Sequence, residues 1–402
     1  MKIKIEKSVA VGSVSAPPSK SYAHRLLICS ALSSGISTVY GISESDDMKA
    51  TLSCITSLGI DYKKEHDMVK MQGINLHMAS SATDFYCNES GSTLRFFIPI
   101  ALAIGGKFNF YGTERLISRG ISVYEDICKN QGIDCKKYRD KIFFEGRLRP
   151  DTFNVPGDIS SQFISGLLFA LPLLDGDSVI NITTELESAK YVDITMDALK
   201  SFGIEIKREN NSFYIKGNQK YISQNITVEG DASNGAFLDA FNVLGGDVSV
   251  NGIKEDTLQA DGAYKGLFTQ LENKNPTIDI SSCPDLGPIL FALAGLKNGA
   301  LFIGTRRLRI KESDRALSMA SELSKLGIRV DVEENSVRVY GGEITSPSEA
   351  LYGHNDHRIV MALSVILTLV GGEIDGCEAV AKSYPDFFKV IKSLNIRLEE
   401  VK

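Results

Sequence analysis

The densest chemistry in the chain lies between Thr305 and Leu323, where TRRLRIKESDRALSMASEL brings Lys311, Glu312 and Arg315 close together in sequence. Lys311 and Arg315 are four residues apart and Glu312 and Arg315 three, so a helix beginning here places them on one side. A carboxylate among such cations stays ionised unless burial or a bound anion raises its pKa, and a group so poised can be tuned for proton transfer. Taken alone, the segment also reads as a solvated charged face. Further cations, Lys20, Arg25, Arg95, Arg119, Arg358 and Lys382, are dispersed along the chain, and short runs of Ser, Thr and Gly occur at 19–21, 90–93, 160–161 and 233–235. Where such runs open helices, unpaired backbone N–H groups and the positive end of the helix dipole make anion sites, although the same residues are also ordinary caps. Scattered cations on a chain of net charge −6 do not form a nucleic-acid stripe. They suit a pocket for phosphate and carboxylate.

The elements that must hold these residues recur along the chain. Six apolar runs open with Ser, Gly, Asp, Asn or Cys and close at Gly35, Gly105, Gly176, Gly245, Gly299 and Gly371, at spacings of 70, 71, 69, 54 and 72 residues. In step with them runs a second signature, an apolar or amide residue followed by Gly-Ile and then polar/apolar alternation around a charged turn: LGIDYKKEHDMVKMQG, QGIDCKKYRDKIFFEG, FGIEIKRENNSFYIKG and LGIRVDVEENSVRVYGG. That alternation predicts β-hairpins. Each repeat therefore reads as strand, buried helix, strand, amphipathic helix and hairpin, about 70 residues long. The fourth repeat passes from LEN at Leu271 to TIDIS without a hairpin, which explains the short spacing. The expected fold is α/β, with two domains of three βαβαββ-type repeats each. Residues 20–228 form one domain and residues 229–402 the other, which the N-terminal residues 1–19 complete by adding a strand. Hinges are expected near Ser19 and Glu229.

Composition narrows the function class. With 402 residues, 43% hydrophobic and 23% charged, the chain can bury a sizeable core and is neither disordered nor a disulfide scaffold. Its longest apolar runs, Phe163 to Leu174 and Ile359 to Val370, reach 12 residues each. A membrane span needs about 20. The N-terminus lacks the continuous apolar stretch of a secretory signal, so a cytoplasmic protein is expected. Seven cysteines without a CxxC pair and five histidines without HExxH spacing point to reduced packing residues and no protein-held metal.

Several motifs together carry a family resemblance: SKSYAHR at 19–25, SGSTLR at 90–95, SSQF at 160–163, SAKYVD at 188–193, PDLGP at 284–288, RIKESDR at 309–315, NDHR at 355–358 and AKSYPDFF at 381–388. In this order the chain resembles the EPSP synthases, the 3-phosphoshikimate 1-carboxyvinyltransferases of the shikimate pathway, over essentially its whole length. The resemblance implies an inside-out α/β barrel and transfer of the enolpyruvyl group of phosphoenolpyruvate to the 5-hydroxyl of shikimate 3-phosphate, with no cofactor and no metal. It implies a monomer working on two small anionic substrates, with neither nucleic acid nor membrane as partner. Residue by residue, Lys20, Gly91, Arg119, Gln162, Arg315, Arg358 and Lys382 match positions that bind phosphoenolpyruvate. Lys20, Ser21, Arg25, Ser160, Ser161, Gln162, Ser188, Asp285 and Lys311 match those for shikimate 3-phosphate, with Tyr191 nearby. Asp285 is implied as base for the 5-hydroxyl and Glu312 as the group that gives and takes the methylene proton, with Lys20 and Lys382 as rivals for part of that traffic. Two positions depart from the family pattern. Glu89 stands where many bacterial members have Asn, so sensitivity to glyphosate is not carried over, and Arg307 stands where Asn is common. The sister enzyme acting on UDP-N-acetylglucosamine has a Lys-Asn pair where Lys20 is followed by Ser21, and often a loop cysteine absent between Arg115 and Arg119. A non-catalytic anion-binding repeat protein is the remaining alternative.

Overall fold

In the computed structural model, which describes residues 1–74 and 81–401, the chain divides into a continuous unit, Pro18–Glu229, and a discontinuous one, Met1–Pro17 with Gly230–Lys402. The continuous unit holds helices α1 (Lys20–Leu32), α2 (Asp46–Ser57), α3 (Gly91–Ile104), α4 (Glu114–Ser118), α5 (Ser122–Gln131), α6 (Ser161–Ala170) and α7 (Ala189–Ser201). Local sequence sets the starts of the three buried helices. The hydroxyls of Ser19, Ser90 and Ser160 accept from the backbone N–H of Tyr22, Thr93 and Gln162, which satisfies first-turn donors of α1, α3 and α6. α3 stops at Gly105, whose φ of 81° is costly for a residue with a Cβ. From Tyr22 to Leu32 every residue of α1 is buried, as expected for a helix enclosed on all sides.

Three four-stranded sheets accompany these helices, and all have the same order. In the second, Ala82–Tyr86 runs parallel to Gly106–Tyr111, which pairs antiparallel with Lys141–Gly146 and so with the hairpin partner Asp134–Lys137. Parallel neighbours need a crossover, here the buried helix, while antiparallel ones need only a turn. The third sheet repeats this with Thr152–Val155, Ser178–Ile182, Ser212–Ile215 and Ile206–Glu209. In the first sheet, Ile36–Tyr40, Met68–Gln72 and Tyr62–Glu65 take the same places, but the parallel strand is Asn225–Thr227 from the far end of the unit.

The discontinuous unit contains α8 (Ala232–Val243), α9 (Tyr264–Gln270), α10 (Gly287–Leu296), α11 (Arg315–Lys325), α12 (His357–Val370) and α13 (Phe387–Ser393). α8, α10 and α12 supply its core, with Phe237, Leu290, Phe291, Leu363 and Ile366 fully buried. The repeat without a hairpin has a sheet of only two strands, in which Asp247–Asn251 lies parallel to Val11–Ser15. Lys2–Ile5 sits between Gly372–Asp375 and Leu398–Val401 and completes the last sheet. Two N-terminal strands thus enter this unit. Moreover, the strand before α1 pairs with the strand after α8, while the strand before α8 pairs with the strand after α1. The repeat pattern assigns residues 1–19 to this unit as one completing strand but does not identify the partner of either short strand. The described residues include no helix long and apolar enough to cross a membrane and no group of three or more His, Cys, Asp or Glu that could hold a metal ion.

Candidate active site

In the discontinuous unit the charged residues of the RIKESDR, PDLGP and NDHR segments meet in one ionic network. Arg315 opens α11 and is 1% exposed, so each of its donors needs a partner. Nε donates to Asp356 Oδ2 at 2.9 Å, Nη1 to Asp285 Oδ1 at 2.7 Å and Nη2 to Glu312 Oε2 at 2.8 Å. Asp356, itself fully buried, also caps α12 by accepting from the Arg358 N–H at 3.0 Å and takes the Ser313 hydroxyl at 3.1 Å. Asp285 is the hub. Its Oδ1 also meets Lys311 Nζ at 3.1 Å, and its Oδ2 accepts from Arg358 Nη2 at 2.9 Å. Three cations therefore hold Asp285 as a carboxylate while 18% of its side chain stays exposed. The other Arg358 nitrogen, Nη1, donates to Ser233 at the start of α8. Lys382 Nζ donates to the Asn355 carbonyl at 2.6 Å.

Lys311 is the cation here whose charged form burial weakens. Burial first, then the positive charges of Arg315 and Arg307, push its pKa down to about 8, against the pull of Asp285. Its side chain is still 19% exposed, so it can receive an anion. Arg315 and Arg358, by contrast, keep raised values because the surrounding carboxylates outweigh their burial. Just ahead of Asp356, His354 and Asn355 both adopt left-handed backbone, with φ of 50° and 53°. Two such residues in succession without glycine are strained and must be held by their surroundings.

A second cluster lies in the continuous unit, at the starts of its buried helices. Lys20, the first residue of α1, donates to Asp47 Oδ2 at 2.9 Å in the first turn of α2. A lysine at the positive end of a helix is poorly placed, and the nearby carboxylate offsets that. Arg25, one turn on, donates to the Ser21 and Tyr191 carbonyls at 2.6 and 2.9 Å and through Nε to Thr195 Oγ1 at 2.7 Å. Burial lowers its pKa to about 10, so it remains a cation at neutral pH. Gln162 receives Arg95 Nη1 at 2.6 Å and donates to Ser92 Oγ at 2.9 Å, which joins the starts of α3 and α6. Gly91 opens α3 directly against Arg119, since a Cβ there would come within 3.1 Å of the guanidinium. Arg119 Nε is buried with no partner among the described residues. Ser160 caps α6, Ser161 follows it, and Ser188 precedes α7 in left-handed backbone with φ 55°.

Beneath these starts runs a buried polar chain. His24 Nδ1 lies 2.7 Å from Thr51 Oγ1, Thr51 lies 2.8 Å from Thr93 Oγ1, and Thr93 donates to the capping Ser90 Oγ at 2.7 Å. Burial, with Lys20 and Arg25 adding to it, holds the His24 pKa well below the usual value, so the imidazole is neutral. The chain ties α1, α2 and α3 together through hydroxyls rather than charges.

The chain matches the model of the family described as EPSP synthase (3-phosphoshikimate 1-carboxyvinyltransferase) over residues 5–391. It is 41% identical over 431 aligned positions to the 3-phosphoshikimate 1-carboxyvinyltransferase of Clostridioides difficile (strain 630), covering 99% of this chain and 98% of that one. The chain belongs to the EPSP synthase family. Its likeness to the enzyme so named from Clostridium kluyveri is similar, at 40% identity and the same coverage. Among solved structures, EPSP synthase from Acinetobacter baumannii superposes with a TM-score of 0.79 at 22% identity, covering 99% of this chain and 100% of that one. The enolpyruvyl transferase NikO from Streptomyces tendae gives 0.78 at 13% identity, covering 99% and 98%. These likenesses show the inside-out α/β barrel built from repeats.

For an EPSP synthase family member, the two unusual positions have local explanations. Glu89 reaches toward the cap of α4, with Oε1 at a long 3.5 Å from Thr113 Oγ1. Arg307 is buried beside Lys311 and adds to the positive potential there. The structure also supplies pairings that the sequence did not show. Asp47 holds Lys20, Asp356 holds Arg315, Ser233 holds Arg358 and Arg95 holds Gln162. Asp356, Arg95 and Ser233 had a visible signal, their places within NDHR, SGSTLR and the run at 233–235 at helix starts, while Asp47 had none.

Proposed function

We propose that the chain transfers the enolpyruvyl group of phosphoenolpyruvate to the 5-hydroxyl of shikimate 3-phosphate and releases inorganic phosphate. The observation that carries this reading is Asp285, partly exposed and held by Lys311, Arg315 and Arg358, with Glu312 on the same arginine. That arrangement offers a base, a second proton carrier and an anion site together. In the addition step Glu312 gives a proton to the methylene carbon C3, C2 becomes electrophilic, and the 5-hydroxyl oxygen bonds to C2 while its proton passes to Asp285. In the elimination step the C2–O bond to phosphate breaks, the proton held by Asp285 leaves with the phosphate as hydrogen phosphate, and Glu312 takes a proton back from the new methyl group. Phosphoryl transfer is not involved, because the bond that breaks is C–O.

In this reading Lys20, Gly91, Arg119, Gln162, Arg358 and Lys382 bind phosphoenolpyruvate. Arg315, with every nitrogen on a carboxylate, acts first by holding Asp285 and Glu312 in place. Ser21, Arg25, Ser160, Ser161, Gln162, Ser188 and Lys311 bind shikimate 3-phosphate. The enzyme works in the cytoplasm as a monomer. Its hinge lies near Ser19 and Glu229, where the Ser19 N–H donates to the Glu229 carbonyl at 2.7 Å and the Asp231 N–H to that of Pro17 at 2.7 Å. Small-angle scattering curves unchanged by both substrates would remove the hinge.

A phosphate-release assay with phosphoenolpyruvate and each acceptor separately tests the reaction. Turnover is expected with shikimate 3-phosphate. Release with UDP-N-acetylglucosamine alone would favour the sister activity, and binding of both anions without any release would favour a silent anion-binding protein.

A further inference from the structure

We propose that Glu322 is a positioning residue for the phosphoenolpyruvate-binding cations Arg358 and Lys382, acting through the strained segment 352–356. The inference rests on the function proposed above, in which those two cations bind substrate. Glu322 lies on α11, seven residues beyond Arg315 and so on the same face two turns along. Its side chain is 1% exposed, and a carboxylate so buried must be compensated. Three groups compensate it. Oε2 accepts the backbone N–H of Tyr352 at 2.9 Å and meets Lys325 Nζ at 3.0 Å, while Oε1 lies 2.8 Å from His354 Nε2. Lys325 in turn reaches Glu349 at 3.3 Å, just before the same segment.

α11 thus grips the approach to α12 at both ends. Arg315 holds Asp356, the cap of α12, and Glu322 holds Tyr352 and His354. Between the two grips lie His354 and Asn355, the consecutive left-handed residues. The Asn355 carbonyl receives Lys382, and Arg358 stands two residues past the cap. Released from Glu322, the segment is free to relax its left-handed pair. Relaxation moves the carbonyl that fixes Lys382 and the start of the helix that aims Arg358. The Glu322 carboxylate itself touches neither, so its effect on the reaction is indirect.

The test compares Glu322→Ala, Glu322→Gln and His354→Ala with the wild-type chain by two readouts. The first is hydrogen exchange on the ligand-free protein, which does not depend on the reaction. Glu322→Ala is expected to speed exchange of the amides from Tyr352 to Arg358 by about tenfold, the fold-change of one lost hydrogen bond to a charged group, and to leave α10 unaffected. Unchanged exchange in this segment overturns the proposal, even if the wild type shows no turnover. The second readout is steady-state kinetics. The KM for phosphoenolpyruvate is expected to rise about tenfold with the KM for shikimate 3-phosphate within about twofold, and Glu322→Gln, whose amide oxygen still accepts from Tyr352, is expected to recover most of the loss. A merely structural role would lower the melting temperature and the active fraction with both KM values intact, and that result overturns the proposal. If Glu322→Ala does not fold, His354→Ala removes one grip at a partly exposed side chain. It is expected to raise the KM for phosphoenolpyruvate about threefold, and no change overturns the inference.

Discussion

Asp285 and Glu312 answer to a rate measurement and Lys311 to a proton balance. Replacing Asp285 by Asn or Glu312 by Gln keeps the size of the side chain and removes its proton-accepting charge, so each change is expected to lower kcat by about 100-fold or more. A single-turnover assay checks this, and a wild-type rate would take the residue off the catalytic list. Arg358→Ala is expected to weaken phosphoenolpyruvate binding more than turnover, seen as a raised KM, because it removes a cation and unbalances Asp285. Lys311 carries a pH prediction. Its pKa falls from 10.5 in the unfolded chain to about 8 in the folded one, so between those values the unfolded state binds the extra proton. The cost to stability is therefore fully present below pH 8 and disappears as pH rises toward 10.5. A bound phosphate dianion restores the lysine to its charged form. At pH 8, binding of shikimate 3-phosphate is expected to take up about half a proton, read by calorimetry in buffers of different ionisation enthalpy. No uptake would show that Lys311 does not meet the ligand.

Helices are where the sequence spoke most clearly. Ser19, Ser90 and Ser160 announce helix starts because capping is a local interaction, and Gly105 and Gly371 announce ends for the same reason. Hairpin strands such as Met68–Gln72 were legible because their burial alternates, as their residues do. The pairings that make a site were not. Arg358 meets Asp285 across 73 residues and Lys20 meets Asp47 across 27, and nothing in a periodic pattern ranks one acidic partner above another. The link from His24 through Thr51 to Thr93 was silent for the same reason, since the sequence of one helix does not say which side chain of a neighbouring helix it will meet. Their chain makes a prediction for the helices it joins. Thr51→Val keeps the shape, leaves His24 Nδ1 without its partner in the interior, and is expected to cost about 2 kcal/mol in urea unfolding. A loss below about 0.5 kcal/mol would mean that the three helices are held by apolar packing alone.

At the scale of the molecule, repeats and domains proved to be two descriptions of one chain, with six helix-and-sheet repeats divided between a continuous and a discontinuous unit. What the repeat pattern left open was the partner of each strand where the chain passes from one unit to the other, because Val11–Ser15 and Asn225–Thr227 are short, mostly polar and interchangeable by pattern. The strand Lys2–Ile5 has a firmer signature, since Ile3 and Ile5 are buried between neighbours on both sides. Ile5→Ala is expected to cost about 2–4 kcal/mol of stability, measured by denaturant unfolding, and to leave substrate KM values unchanged. An unaltered midpoint would mean that the strand is dispensable. The placing of this strand also sets a timetable for the newborn chain. On a ribosome adding about 5–20 residues per second, Ile3 and Ile5 emerge tens of seconds before their partner strand Leu398–Val401. Residues 18–229 can collapse on themselves meanwhile, while Lys2–Ile5 waits unpaired with Ile3 and Ile5 uncovered. Lys2–Ile5 waits for Leu398–Val401, and the cell's chaperones have that interval to guard.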